Sequence, residues 1–312
     1  MIDQFDCDDT IDFFESLGVL TLDRNGYIYP RSEQASQINN ILRYTCMSRG
    51  VDIVTGVKSG RIERIDPENN NGCRFRIGGE YYGKNLVMAC GGMSAKKTGS
   101  DGSGYIMAST LGHTLITPVP ALCAVRCSDT FTKELAGVRN DSAISLYDVN
   151  NELVMRTFGN VQFTAYGVSG IPVFQMSHII GKMLLDGNTP ELVIDLLPEY
   201  KSEIMLSSML NIDHSDSKTD ESGNTDRLLG ILNSKLACVI AKEDSRYSRF
   251  SKGMTYGERV TRFIKHFRMH PSGLNSFDEA QTTAGGISTC EIDKDTMQSL
   301  LVSGLYFTGE II

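Results

Sequence analysis

The chain has 312 residues, 41% of them hydrophobic and 22% charged, ordinary globular material long enough for two packed units. Its formal charge of −8, with Lys and Arg dispersed, sets a repulsive field against phosphate backbones and anionic lipid, so neither nucleic acid nor a membrane surface is an expected partner. The acidic opening "MIDQFDCDDTIDFF" is no export signal, Leu236 to Ala241 is far short of the roughly 20 residues of a membrane span, and the eight scattered cysteines point to a reducing cytoplasm.

In chain order, Asp8 is placed to cap a short helix with Phe13, Phe14 and Leu17 on one side and Gly18 at its end. Alternating apolar residues around Asn25 and Gly26 predict a hairpin. Ser32 is the expected cap of a helix carrying Ala35, Ile38, Ile41, Leu42 and Thr45, closed by Gly50, and "VDIVTGV" reads as the strand that completes an α/β crossover. "GRIERID" and "CRFRIGG" alternate as strands across a turn-rich link and feed "KNLVMACGG", expected as a buried central strand ending in glycines.

Thr114 to Asp195 is rich in Val, Thr, Phe and Tyr in short runs broken by Gly and Pro, which predicts a small inserted β-barrel or β-sheet unit. Helices follow at Glu203–Leu210, Asp226–Lys242 and Gly257–Met269, with the polar "NIDHSDSKTDESGNTDR" an expected exposed loop. "EAQTTAGGIS" and "GLYFTGE" then return as strands. The organisation is α/β interrupted by an insertion: residues 1–120 a first part, 121–195 the β insert, 196–275 its helical part and 276–312 the return strands.

Three stretches, "LVMACGG", "TTAGG" and "LYFTGE", place Gly straight after an apolar run, where a missing Cβ lets backbone lie against a flat or anionic ligand. Gly99, Gly102 and Gly104 lead into a helix, but Met107 stands where a dinucleotide fingerprint has its third glycine; Thr98, Ser100 and Asp101 suit an anion site or plain capping. Ser169 in "YGVSGI" is not flanked as a nucleophile elbow requires, since Ile171 stands where the second glycine of G-x-S-x-G belongs, so Gly167 and Gly170 are expected to shape a turn. His266 and His270 read as a basic solvated helix face, Cys123 and Cys127 as buried thiols, and no metal set is complete. His113 is an acid/base candidate or a partner for backbone groups.

These stretches, with "DDTIDFFESLGV", "GYIYPRSEQAS", "LVMACGGMSAKKTGSDGSGY" and "FTAYGVSGIPVFQMS", resemble the BaiN-like (YhiN, aminoacetone-oxidase-like) family of NAD(P)/FAD-dependent oxidoreductases over nearly the whole chain; Thr282 replaces the family's usual Val. The resemblance implies a partial two-dinucleotide-type, Rossmann-like FAD domain interrupted by a β-barrel and a helical insert. It implies flavin chemistry on a small organic substrate, with NAD(P)H as an electron donor. By position, Val57 meets the adenine, Ala89, Gly91 and Gly92 line the nucleotide, and Gly309 and Glu310 approach pyrophosphate and ribitol. Thr98, Gly99, Ser100 and the turn Thr283, Ala284, Gly285, Gly286 border the flavin ring and substrate, with Pro30, Ser32 and Gln34 close by. The resemblance assigns no catalytic acid or base.

The family's opening strand, glycine turn and helix take roughly 30 residues, and nothing comparable precedes Asp3; the family also continues past the last Gly-Glu. The expectation is a trimmed or incomplete flavoprotein that holds FAD weakly alone and self-associates through an incomplete sheet. Two other readings stand beside it: a noncatalytic fragment that binds a partner, and a hydrolase using Ser169, which requires a His and an acid within reach.

Overall fold

The computed structural model describes residues 4–211, 225, 227–251 and 253–312. The chain forms two compact units, Met1–Val87 with Ile292–Tyr306, and Met88–Glu291 with Phe307–Ile312.

In the first unit, α1 (Cys7–Ser16) starts at Asp6 rather than Asp8. Asp6 is extended and takes the amides of Asp8 and Asp9, while the Asp9 carboxylate takes the Asp6 amide to complete a capping box. Strands β1 (Thr21–Arg24) and β2 (Tyr27–Pro30) form the expected hairpin, turned by Asn25 (φ 57°) and Gly26 (φ 84°). Helix α2 (Ala35–Ser48) starts at Gln34 without a side-chain cap, because a left-handed Glu33 (φ 55°) breaks the run after Ser32. The expected strand at 51–57 does not form. An extended run becomes a strand only by sharing backbone hydrogen bonds, no described strand pairs with it, and Val51, Ile53, Val54 and Val57 stay about half exposed. Strands β3 (Ile62–Arg64), β4 (Phe75–Ile77) and β5 (Tyr81–Gly83) make an antiparallel meander over the buried Phe75, with Glu63 and Arg76 paired across it. Next comes β6 (Leu86–Met88), whose single neighbour among the described strands is the last in the chain; Val87 is 59% exposed, so β6 is not the buried central strand expected.

The second unit continues with α3 (Ser103–Thr110), β7 (Leu115–Ala121), β8 (Val125–Cys127), α4 (Thr132–Leu135), β9 (Arg139–Tyr147), β10 (Leu153–Thr164), β11 (Gly167–Ser169), α5 (Ile171–Leu185) and β12 (Glu191–Asp195). It goes on through α6 (Glu203–Leu210), α7 (Ser234–Tyr247), α8 (Tyr256–Lys265), β13 (Phe267–Met269), β14 (Pro271–Leu274) and β15 (Thr282–Ile287); β16 (Leu305–Phe307) closes the sequence of elements. Seven strands form one antiparallel sheet in the order β13-β12-β9-β10-β11-β8-β14. The insert is therefore a sheet whose ladder is not closed into the barrel expected: β13 and β14 stand at its two ends, joined in the chain through His270. Gly167 and Gly170 let strands approach closely, since an added Cβ would lie 2.1 Å from the Val125 carbonyl oxygen and 2.3 Å from that of Asn160. Ser169 is a ladder position opposite Gln162.

Two helices differ from expectation. The β-rich reading missed α5, although Val173, Met176, Ser177, Ile180 and Gly181 make a buried stripe at helical spacing. Helix α8 is set by the Thr255–Glu258 capping box and ends at Lys265, after which β13 pairs with β12; His266 and His270 therefore share no helix face, and His270 instead binds Asp129. Helix α6 has the bounds expected, whereas α7 is shifted to an Asn233 cap. Asp226 and the polar loop at 212–224 lie outside the described residues.

The core of this unit packs Ile144, Leu146, Val161, Phe163 and Ile194 of the sheet against Met176 and Ile180 of α5, Ile240 of α7 and Ile264 of α8. A buried Asp244 accepts two bonds from Arg259, at 2.7 and 3.1 Å, tying α7 to α8. Among the described residues no helix is long and apolar enough to cross a membrane.

Candidate functional site

Apolar strands pull their chain ends to one place in the second unit. The Thr308 amide donates to the Met88 carbonyl at 3.1 Å, setting the end of β16 beside that of β6, and the Ile287 amide donates to Ile311 at 3.0 Å, bringing β15 to the same chain end. The three glycine-bearing termini, around Gly92, Gly285 and Gly309, therefore meet.

Side chains then lock them. Thr283 Oγ1 accepts the Met93 amide at 2.8 Å and shares a 3.0 Å hydrogen bond with Ser94 Oγ. Thr282 donates to Glu310 Oε1 at 3.0 Å, and the Tyr105 hydroxyl donates to the Glu310 carbonyl at 3.3 Å. Tyr105 is 2% exposed, and burial raises its phenol pKa, keeping it a donor. Sequence reading did not single out Tyr105; its only signal was a place one turn into the helix that follows Gly102.

The glycines divide into two groups. A Cβ at Gly91 would lie 2.4 Å from Ser100 Oγ, at Gly92 2.5 Å from Thr283 Oγ1, at Gly285 2.7 Å from the Thr117 carbonyl oxygen and at Gly286 2.7 Å from that of Ile311. The protein itself closes on these four. Gly99 (φ 102°) and Gly309 (φ 76°) instead have nothing within 4 Å of that position and leave open backbone. Thr98 turns its hydroxyl onto the Ala95 carbonyl at 2.9 Å, and Ser100 bridges to Ala95. Ala89 follows β6, and Ala284 faces Val119 in the β7–β15 ladder. Val57, Pro30, Ser32 and Gln34 belong to the first unit, where Val57 is exposed.

His113 is sealed in. Its ring stacks edge-on against Phe307 at 4.7 Å and its Nδ1 lies 3.2 Å from Glu291 Oε2, which also accepts the Thr114 amide at 2.9 Å. Burial lowers the imidazole pKa, with Glu291 opposing, so the ring sits neutral as a strut. Cys123 is buried as expected, whereas Cys127 is half-buried; burial pushes the Cys127 thiol up to about 12 and raises that of Cys123, which disfavours the reactive thiolate at both. Among the described residues no cluster of three His, Cys, Asp or Glu side chains could hold a metal ion.

Bare strand ends gathered next to a glycine-led helix are an arrangement that Rossmann-like α/β proteins share. The HI0933-like protein Rossmann domain matches residues 1–312, and the chain belongs to that family, that of the BaiN-like flavoprotein oxidoreductases it resembles in sequence. It is 34% identical to the 3-dehydro-bile acid delta(4,6)-reductase of Clostridium scindens, over 100% of this chain and 75% of the relative. It is 29% identical to the ribosomal RNA dihydrouridine synthase of Haemophilus influenzae (90% of this chain, 67% of the relative) and 26% identical to that of Escherichia coli (73% and 54%).

Proposed function

We propose that the protein is an FAD-dependent reductase that saturates a carbon–carbon double bond conjugated to a carbonyl in a small apolar substrate, with NAD(P)H as the electron source. The reaction class draws on the relatives: a delta(4,6) reduction beside a 3-oxo group and the conversion of uridine to dihydrouridine both saturate an alkene conjugated with a carbonyl. A small molecule rather than RNA fits the net charge of −8.

The carrying observation is the network in which Thr283, Thr282 and Tyr105 hold three strand ends together while Gly99 and Gly309 keep open backbone. That cradle fits an extended nucleotide. Gly309 and Glu310 would approach its pyrophosphate and ribitol, Ala89, Gly91 and Gly92 would line the nucleotide, and Thr98, Gly99, Ser100 and Thr283 to Gly286 would border the ring. Bound there, flavin supplies the hydride chemistry. The chain's part is to orient substrate and cofactor and to exclude water, with Tyr105 and Thr283 fixing the main chain against which both would lie.

The test is to purify the protein, add FAD and record the visible spectrum, then follow bleaching by NAD(P)H and reoxidation by a 3-oxo-4-ene steroid. A yellow protein reoxidised by the enone supports the reading. A colourless one that ignores FAD and enone alike sinks it and favours a noncatalytic, partner-binding role.

A further inference from the structure

We infer that a groove beside the strand-end cluster seats the substrate, and that its occupant is an uncharged apolar body bearing a hydroxyl donor; the inference rests on the reductase reading above. The groove has a volume of about 480 Å³ and is walled by Val119 and Pro120 of β7, Leu184 of α5, Leu274 of β14 and Phe277. Carbon walls of this kind take an apolar body out of water. Val119 and Pro120 stand opposite Ala284 and Thr283 in the β7–β15 ladder, so the groove and the strand-end cluster share one pair of strands. Lys96, which also lines it, opens the short helical turn that ends at Thr98.

Asn275 supplies the second, independent sign. It lines the groove and is 5% exposed; its Nδ2 donates to the Tyr166 hydroxyl at 3.0 Å, whereas its Oδ1 is buried without a hydrogen-bond partner. An orphaned acceptor is unfavourable, and the terminal amide torsion is soft, so a ligand hydroxyl that drew Oδ1 toward the groove would supply its missing bond in exchange for the Nδ2 contact with Tyr166. Lys96 and Asp278 lie 3.9 Å apart along the same groove and offset each other, which suits a neutral body and not a polyanion.

The experiment is calorimetry on the full chain with FAD added, using a hydroxylated 3-oxo-4-ene steroid and its deoxy counterpart. The hydroxylated probe is expected to bind about tenfold tighter, and Asn275→Leu to erase that difference. Leu184→Trp, on a half-buried wall, is expected to weaken both probes about tenfold with the flavin spectrum unchanged. Equal affinities for the two probes, indifference to Leu184→Trp, or displacement of the steroid by a short uridine RNA overturns the inference. Steroid binding without flavin binding breaks the reductase reading and leaves the groove standing; flavin binding without steroid binding does the reverse.

Discussion

The hydroxyl of Thr283 accepts the amide of Met93 at 2.8 Å, joining residues 190 positions apart. One side-chain oxygen thus satisfies the main chain at the exit of β6 and anchors it to β15. Thr283→Val keeps the shape, removes the acceptor and leaves the Met93 amide unmet, at about 1–3 kcal/mol. A lowered thermal midpoint with partial loss of bound flavin is expected, and Thr283→Ser, which retains the hydroxyl, recovers most of both.

Gly92 and Gly309 answer differently to the same substitution. Gly92→Ala drives a methyl to within 2.5 Å of Thr283 Oγ1 and 2.7 Å of its Cβ, so stability falls and the glycine turn shifts. Gly309→Ala meets open space and bears only the left-handed backbone strain of about 1–2 kcal/mol. Thermal melts are expected to rank Gly92→Ala as the less stable variant, and flavin titration to show Gly309→Ala binding more weakly than its smaller loss of stability accounts for.

The neutral, buried His113 makes stability depend on pH. Its folded pKa is below the ordinary imidazole value of 6.5, so the unfolded chain takes up a proton first and stability declines as pH falls through about 6.5 toward the folded pKa. Glu291 acts lower. Hydrogen bonds from Thr114, then the His113 contact, hold its pKa below 4.5, and its contribution is lost only as pH drops through that depressed value. Urea midpoints between pH 5 and 7 are expected to slope upward, and His113→Leu flattens that slope.

Asp244 is 2% exposed and depends on Arg259. Arg259→Met strands a buried carboxylate and lowers stability by about 3–5 kcal/mol, whereas the pair Asp244→Leu with Arg259→Met costs much less. Denaturant unfolding of the two variants measures the difference, and a double change as damaging as the single one contradicts the account.

Local chemistry explains what could be read in advance. Asn25–Gly26 announced its hairpin because both turn residues accept positive φ, and the strand-end glycines announced a convergence because apolar runs that stop at glycine leave bare main chain. Partners distant in sequence were not legible. Nothing in "VDIVTGV" says that no described strand pairs with it, and the Val-, Thr-, Phe- and Tyr-rich segment around α5 masked a helical stripe that only its spacing betrays. The locks by Thr282, Thr283 and Tyr105 join residues between 28 and 205 positions apart, beyond the reach of any local pattern.

The His270 amide and ring both bind Asp129, at 2.8 Å each and 141 positions upstream, where the chain steps from one end of the seven-stranded sheet to the other. Strands β8 and β12, made early, gain their outer neighbours only when β13 and β14 leave the ribosome. During synthesis the nascent unit therefore waits, with both flanks of its ladder bare, for one eight-residue stretch to finish it, an interval in which a chaperone has the most to shield.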